Sequence, residues 1–149
     1  MFELIEAMRI EGVCAEARAR VPADLPQLQD HFPGALLLPG TLLIELMAQT
    51  AGPLLEETGD APRWAVLGLV RHASFLAPTP LPAAIELSAE VVRREPSSGV
   101  ARTEATVEGE VRARAELVFS LQPRDPAWGA AIAARDARLA SWLAAWEGE

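Results

Sequence analysis

Hydrophobic and polar positions change rhythm several times along the chain, and each rhythm predicts an element. From Phe2 to Ile10 apolar and charged positions mix as in a first strand, with Glu11-Gly12 as the turn that ends it. Val13, Ala15, Ala17, Ala19 and Val21 then alternate with Cys14, Glu16, Arg18 and Arg20, the period of a strand with one covered face. Pro22 and Pro26 impose an irregular loop through Asp30. After Pro39 and Gly40 the chain is apolar on nearly every face, which predicts a buried helix starting at Gly40 or Thr41, loosened at Pro53 and stopping around Gly59. Trp64 to Val70 reads as a continuous apolar strand buried on both faces, and Arg71 to Ala84, with Pro78, Pro80 and Pro82, as loop. Three alternating strands follow, Ile85 to Arg94, Val100 to Glu108 and Val111 to Leu121, joined by short turns at Pro96-Ser97-Ser98-Gly99 and Glu108-Gly109-Glu110. From Asp125, a cap residue followed by Pro126, the steps between Trp128, Ile132, Leu139, Leu143 and Trp146 predict a final helix.

Two strands, a buried helix and four more strands with tight turns predict an α+β arrangement, a curved antiparallel sheet wrapped around one central helix. The 149 residues, half of them hydrophobic, suffice for the core of one domain. Residues 125–149 are then a helical extension whose apolar stripe covers either its own sheet or a neighbouring subunit.

Composition removes several kinds of chemistry. A single cysteine, Cys14, allows no internal disulfide and no thiolate metal cluster, and is expected at a buried or strand-edge position. All 13 basic residues are arginine, so a Schiff-base lysine and a phosphate-loop lysine are both excluded. A net charge of -8 argues against nucleic acid or an anionic membrane surface as partner. Glu45, Gln49, Gly52 and Pro53 interrupt the apolar run before it could span a bilayer. Glu3, Glu6 and Arg9 break any leader-like pattern at the amino end, and a cytoplasmic location is the expectation.

One charge is out of place. Between His31 and Glu56 the only ionisable side chain is Glu45, and a carboxylate inside so apolar a run is costly unless something uses it. His31-Phe32-Pro33-Gly34, the leucines that follow, Pro39-Gly40, and then Leu43-Ile44-Glu45-Leu46-Met47-Ala48-Gln49-Thr50-Ala51-Gly52 resemble the 3-hydroxyacyl-acyl carrier protein dehydratases of the FabZ/FabA type, including the spacing from His31 to Glu45. A weaker likeness extends over roughly residues 2–122.

The resemblance implies a hot-dog fold for residues 1–124 and dehydration of 3-hydroxyacyl thioesters to trans-2-enoyl thioesters, in fatty-acid or related polyketide biosynthesis. His31 would be the base, because imidazole titrates near neutral pH, and Glu45 the acid that carries off the hydroxyl. A helix starting at Gly40 presents unpaired N–H groups and a positive dipole end to a developing enolate. By resemblance the Gly40 N–H polarises the thioester carbonyl, the Leu37 carbonyl holds the other ring nitrogen of His31, and Gln49, one turn beyond Glu45, orients its carboxyl. Leu36, Leu38, Leu42 and Leu46 are candidate lining residues for the acyl chain, or core. No metal and no organic cofactor is required. The family pairs the histidine of one subunit with the acid of its mate, which implies a homodimer or higher even oligomer acting on acyl carrier protein or coenzyme A thioesters.

Other residues have plainer readings. His72 is expected at the surface or in a structural role, and Arg93 and Arg94 at a solvated strand end or against a carrier-arm phosphate. Two alternatives stay open: a hot-dog thioesterase in which Glu45 activates water, and a catalytically silent subunit that binds acyl chains or pairs with an active paralogue. Asp30 in place of a glycine before His31 motivates the second, as do Leu76 and Ala77 where the family carries basic residues.

Overall fold

The computed structural model describes residues 3–28 and 34–148. Strands β1 (Ile5–Glu11) and β2 (Cys14–Val21) form a hairpin, helix α1 (Gly40–Glu57) follows, and then come β3 (Arg63–Phe75), β4 (Ala83–Arg94), β5 (Ser98–Val107), β6 (Glu110–Pro123) and helix α2 (Gly129–Glu147). The strands make one antiparallel sheet in the order β1-β2-β4-β5-β6-β3. The β5–β6 turn is two residues long, and both Glu108 and Gly109 lie in the left-handed region (φ 52° and 77°), the backbone hand that matches the twist of paired strands.

Alternation in sequence becomes a division of labour between sheet and helix. Ala15, Ala17, Ala19, Ala89, Ala101, Ala105, Ala113 and Ala115 are buried members of the core, which α1 enters with Leu42, Leu46, Met47, Leu54 and Leu55. Small side chains on the sheet let the helix approach closely while its own large ones fill the space, and each fully buried leucine contributes roughly 1.5–3 kcal/mol. Where the approach is tightest the sheet carries glycine: a Cβ on Gly99 would lie 2.8 Å from Leu55 Cδ2. Thr103, buried in the same layer, donates its hydroxyl to the Ala115 carbonyl at 2.8 Å.

Helix α1 begins at Gly40 as expected, passes through Pro53 unbroken and ends at Glu57, two residues earlier than Gly59. Pro53 is tolerated because the residues around it, Ala51 to Leu55, are all buried and held by packing.

The largest correction concerns β3. It is the edge strand, not an interior one, and Val66, Leu69 and Val70 are 40 %, 51 % and 37 % exposed. It also runs on to Phe75, five residues into the stretch read as loop, and β4 begins at Ala83. Prolines mark the loop only from Pro78 onward, and Arg71 to Phe75 have no proline to prevent pairing with β6. Bulges after Leu67 and Arg71 interrupt that pairing, His72 taking a φ of 52° in the second.

Asp125 caps a short turn, accepting the Ala127 N–H at 2.8 Å, before α2 starts at Gly129. The apolar stripe of α2 packs along β1, the opposite edge strand, of its own chain: Ile132 and Trp142 are buried and Leu139 and Leu143 lie against the core. Arg18 and Arg9 stack on the Trp146 ring at 4.2 and 5.4 Å from its centroid. At the other end of α2 a charged cluster ties it to α1. Both terminal guanidinium nitrogens of Arg135, Nη1 and Nη2, donate to the Glu56 carboxylate, Arg124 stands 3.5 Å from it, and Asp136 accepts from Arg124 at 2.7 Å. The Arg124 hydrogen bond holds Asp136 below its ordinary pKa, outweighing the upward push of burial.

Candidate active site

Three segments converge on the amino end of α1. Leu36 to Leu38 run antiparallel to Thr79 to Leu81: Leu38 N–H donates to the Thr79 carbonyl at 2.8 Å, Leu81 N–H to the Leu36 carbonyl at 2.9 Å, and Leu37 bridges Pro80. The loop from Leu76 to Pro82 is held from its other side by β6, through Leu76 N–H on the Arg112 carbonyl at 2.8 Å and the Arg112 guanidinium on the Pro78 carbonyl. The alternating prolines remove donors from this loop, so its carbonyls are satisfied by neighbours.

Helix α1 starts without a side-chain cap. Pro39, extended, precedes Gly40 and offers its carbonyl to Leu42 and Leu43 N–H at 3.1 and 3.4 Å. The N–H groups of Gly40 and Thr41 therefore have no helical carbonyl behind them, and the positive end of the dipole is left open. Glycine lets the Phe75 ring lie directly against this start, since a Cβ there would be 2.8 Å from Phe75 Cε1 and would displace the ring. Between these pieces lies an apolar groove of about 400 Å³, lined by Leu37, Leu38, Gly40, Leu43, Phe75 and the loop from Leu76 to Thr79.

Along α1, Thr41, Ile44, Glu45, Ala48 and Gln49 form the stripe that the sheet leaves partly uncovered. Glu45 is half-buried there and accepts a hydrogen bond from Gln49 Nε2 at 2.9 Å, the geometry that i, i+4 spacing provides. Gln49 Oε1, buried, meets no donor among the described residues.

The remaining sequence candidates distribute as follows. His31, with Asp30 beside it, lies outside the described residues. Leu38, Leu42 and Leu46 belong to the core, whereas Leu36 is exposed. His72 is at the surface, 3.8 Å from Glu116, and Cys14 is exposed at the start of β2. Arg94 is not a free strand end: its Nε donates to the Leu55 carbonyl at 3.0 Å and closes the last turn of α1. Phe75, Thr79 and Arg112 were not singled out by the sequence reading, because their place in the site depends on which strands flank the loop.

Among the described residues no group of three or more His, Cys, Asp or Glu is placed to hold a metal ion, and no helix is long and apolar enough to cross a membrane.

Comparison with known proteins sharpens this picture. A 3-hydroxyacyl-[acyl-carrier-protein] dehydratase FabZ of Caldicellulosiruptor saccharolyticus is 31 % identical over 116 residues, covering 75 % of this chain and 81 % of that protein. The FabZ of Protochlamydia amoebophila is 34 % identical over 91 residues, 61 % of this chain, and the match spans 59 % of that relative's length. Solved structures share the fold at lower identity. Streptococcus mutans smu.793 bound to acetyl CoA superposes with a TM-score of 0.67 at 16 % identity, covering 82 % of this chain and 91 % of that one. The dehydratase heterocomplex ApeI:P of Xenorhabdus doucetiae gives 0.64 at 18 %, covering 81 % and 84 %. The sequence model of the ApeI-like family, described as ApeI dehydratase, matches residues 7–98, from β1 through α1 to the end of β4. The hot-dog fold is thus shared with these structures, and the chain belongs to the ApeI-like dehydratase family.

Proposed function

We propose that the protein removes water from 3-hydroxyacyl thioesters, leaving trans-2-enoyl thioesters. The observation that carries this reading is Glu45, aligned by Gln49 on the partly uncovered stripe of a helix whose open amino end lies one turn away. The family and the FabZ relatives point the same way. The thioester carbonyl accepts from the Gly40 N–H, which stabilises the enolate as charge moves onto oxygen. His31, its second nitrogen held by the Leu37 carbonyl, takes the C2 proton. The C2–H electron pair becomes the C2=C3 double bond, the C3–O bond breaks, and Glu45 protonates the departing hydroxyl so that it leaves as water.

The working unit in this reading is a homodimer in which His31 of one copy faces Glu45 of the other. Two features support it: the uncovered stripe of α1, with Gln49 Oε1 meeting no donor among the described residues, and the exposed apolar edge of β3 beside it. The thioester is carried by acyl carrier protein, as in the names of the FabZ relatives, or by coenzyme A. The test follows absorbance of the enoyl product from 3-hydroxyacyl-pantetheine substrates. Glu45→Gln and His31→Ala should each lower turnover by ~10²–10⁴ without changing the melting temperature. Turnover that survives either change would remove that residue from the reaction, and release of free thiol instead of enoyl product would favour the thioesterase alternative.

A further inference from the structure

Phe75 is a large apolar side chain left half in water at the groove beside the amino end of α1. It is 52 % exposed and lines that groove with Leu37, Leu38, Gly40 and Leu43. Its backbone is pinned: Phe75 pairs with Ala113 of β6, and the next N–H, that of Leu76, donates to the Arg112 carbonyl at 2.8 Å. The ring leans on the first residue of α1 and already occupies the space where a side chain at Gly40 would begin. Pressed from the groove, it has no room to retreat toward the helix and yields only by swinging into water and giving up that contact.

Closeness to the helix start bounds what the ring can meet. Cε1 is 2.8 Å from the Cβ position of Gly40, and that position is two bonds of about 1.5 Å from the Gly40 nitrogen, so ring and nitrogen are no more than about 6 Å apart. A thioester carbonyl that accepts the Gly40 N–H therefore has the ring as a near neighbour of its two substituents, sulfur and C2. Sulfur leads into a pantetheine arm rich in amides, which lose hydrogen bonds against an apolar wall, whereas C2 begins the alkyl chain, which gains by lying there. We infer that Phe75 is the wall met by C2 of the acyl chain, so that the groove admits a methylene at that carbon and rejects a methyl branch; the inference rests on the acyl-thioester reading above. Selection of this kind acts through shape, which an aromatic ring held at the end of a paired strand supplies.

The experiment compares Phe75→Ala and Phe75→Leu with the parent protein on 3-hydroxyhexanoyl-pantetheine and its 2-methyl counterpart. The two C2 configurations of the branched substrate are assayed separately, since only one presents its remaining C2 hydrogen to the base. The parent should favour the unbranched substrate by about tenfold or more in kcat/KM, the worth of one misplaced methyl group. Phe75→Ala should lose about three- to tenfold on the unbranched substrate yet gain on the branched one, bringing the two within about threefold, with Phe75→Leu in between. A residue that only supports the fold would lower both substrates by the same factor, so an unchanged ratio in Phe75→Ala, or a parent that accepts both equally, overturns the inference. Calorimetry with hexanoyl- and 2-methylhexanoyl-pantetheine, neither of which can be dehydrated, repeats the comparison without chemistry. If the parent dehydrates nothing but its binding preference for the unbranched acyl group collapses in Phe75→Ala, the wall stands while the dehydratase reading falls; binding of neither compound overturns both.

Discussion

Replacing Glu56 with alanine tests how α2 is held to the domain. Its carboxylate, 9 % exposed, takes Arg135 Nη1 at 2.7 Å and a second bond from Nη2, has Arg124 at 3.5 Å, and accepts the Ala65 N–H at 3.0 Å. Removal leaves a guanidinium at Arg135 that is 19 % exposed and must lean on Asp136 alone, 3.2 Å away. Breaking a buried pair from one side costs about 3–5 kcal/mol, and an amide without an acceptor adds ~1–3. Those figures together would reach about 4–8 kcal/mol; because Asp136 remains to share the charge and the cluster opens to water at Arg124, the loss should fall at or just below the bottom of that range, at about 3–4 kcal/mol. For a chain of this size that lowers the melting temperature by roughly 6–16 °C. Glu56→Gln, which keeps an acceptor for Ala65, should lose about half as much. Urea unfolding followed by tryptophan fluorescence is the natural assay, since Trp128, Trp142 and Trp146 lie on the α2 segment and Trp64 stacks near Trp128 at 6.3 Å. A loss under about 1 kcal/mol, or a Glu56→Ala/Arg135→Ala double variant that simply adds the two single losses, would refute the clamp.

Two further outcomes are expected. Leu69→Lys on the open edge of β3 should leave the melting temperature within a few degrees, because the side chain is half in solvent already, yet convert the protein to a monomer by light scattering and abolish turnover; a dimer that persists would move the interface elsewhere. Asp136, held below its ordinary pKa by Arg124, contributes stability that is complete above the unfolded value near 4 and is lost as pH falls through the lower folded value. With 43 % of its side chain exposed the contribution is screened to less than ~1 kcal/mol, and Asp136→Asn should flatten the stability curve below about pH 4 while leaving its shape at pH 5–8 unchanged.

Local rhythm carried most of the fold. Ala15, Ala17 and Ala19 announce a strand with one covered face whatever lies far away, and Glu45 with Gln49 is legible because four residues of helix bring the two together. For β3 the same logic misled. Trp64 to Val70 is apolar throughout, and sequence can say that such residues want a covering without saying whether the chain supplies it; here much of the strand faces outward. Arg135 and Glu56 are 79 positions apart on separate helices, and no local pattern links them.

The two margins of the sheet are finished differently. Where β1 ends the sheet a helix is laid along it; where β3 ends it, backbone and valine are bare. In the language of polymer chemistry such a subunit is monofunctional, with one end blocked, so joining sheets side by side terminates after a single coupling. Cutting away α2 would make it bifunctional, and the product to look for is a ladder of ever longer oligomers.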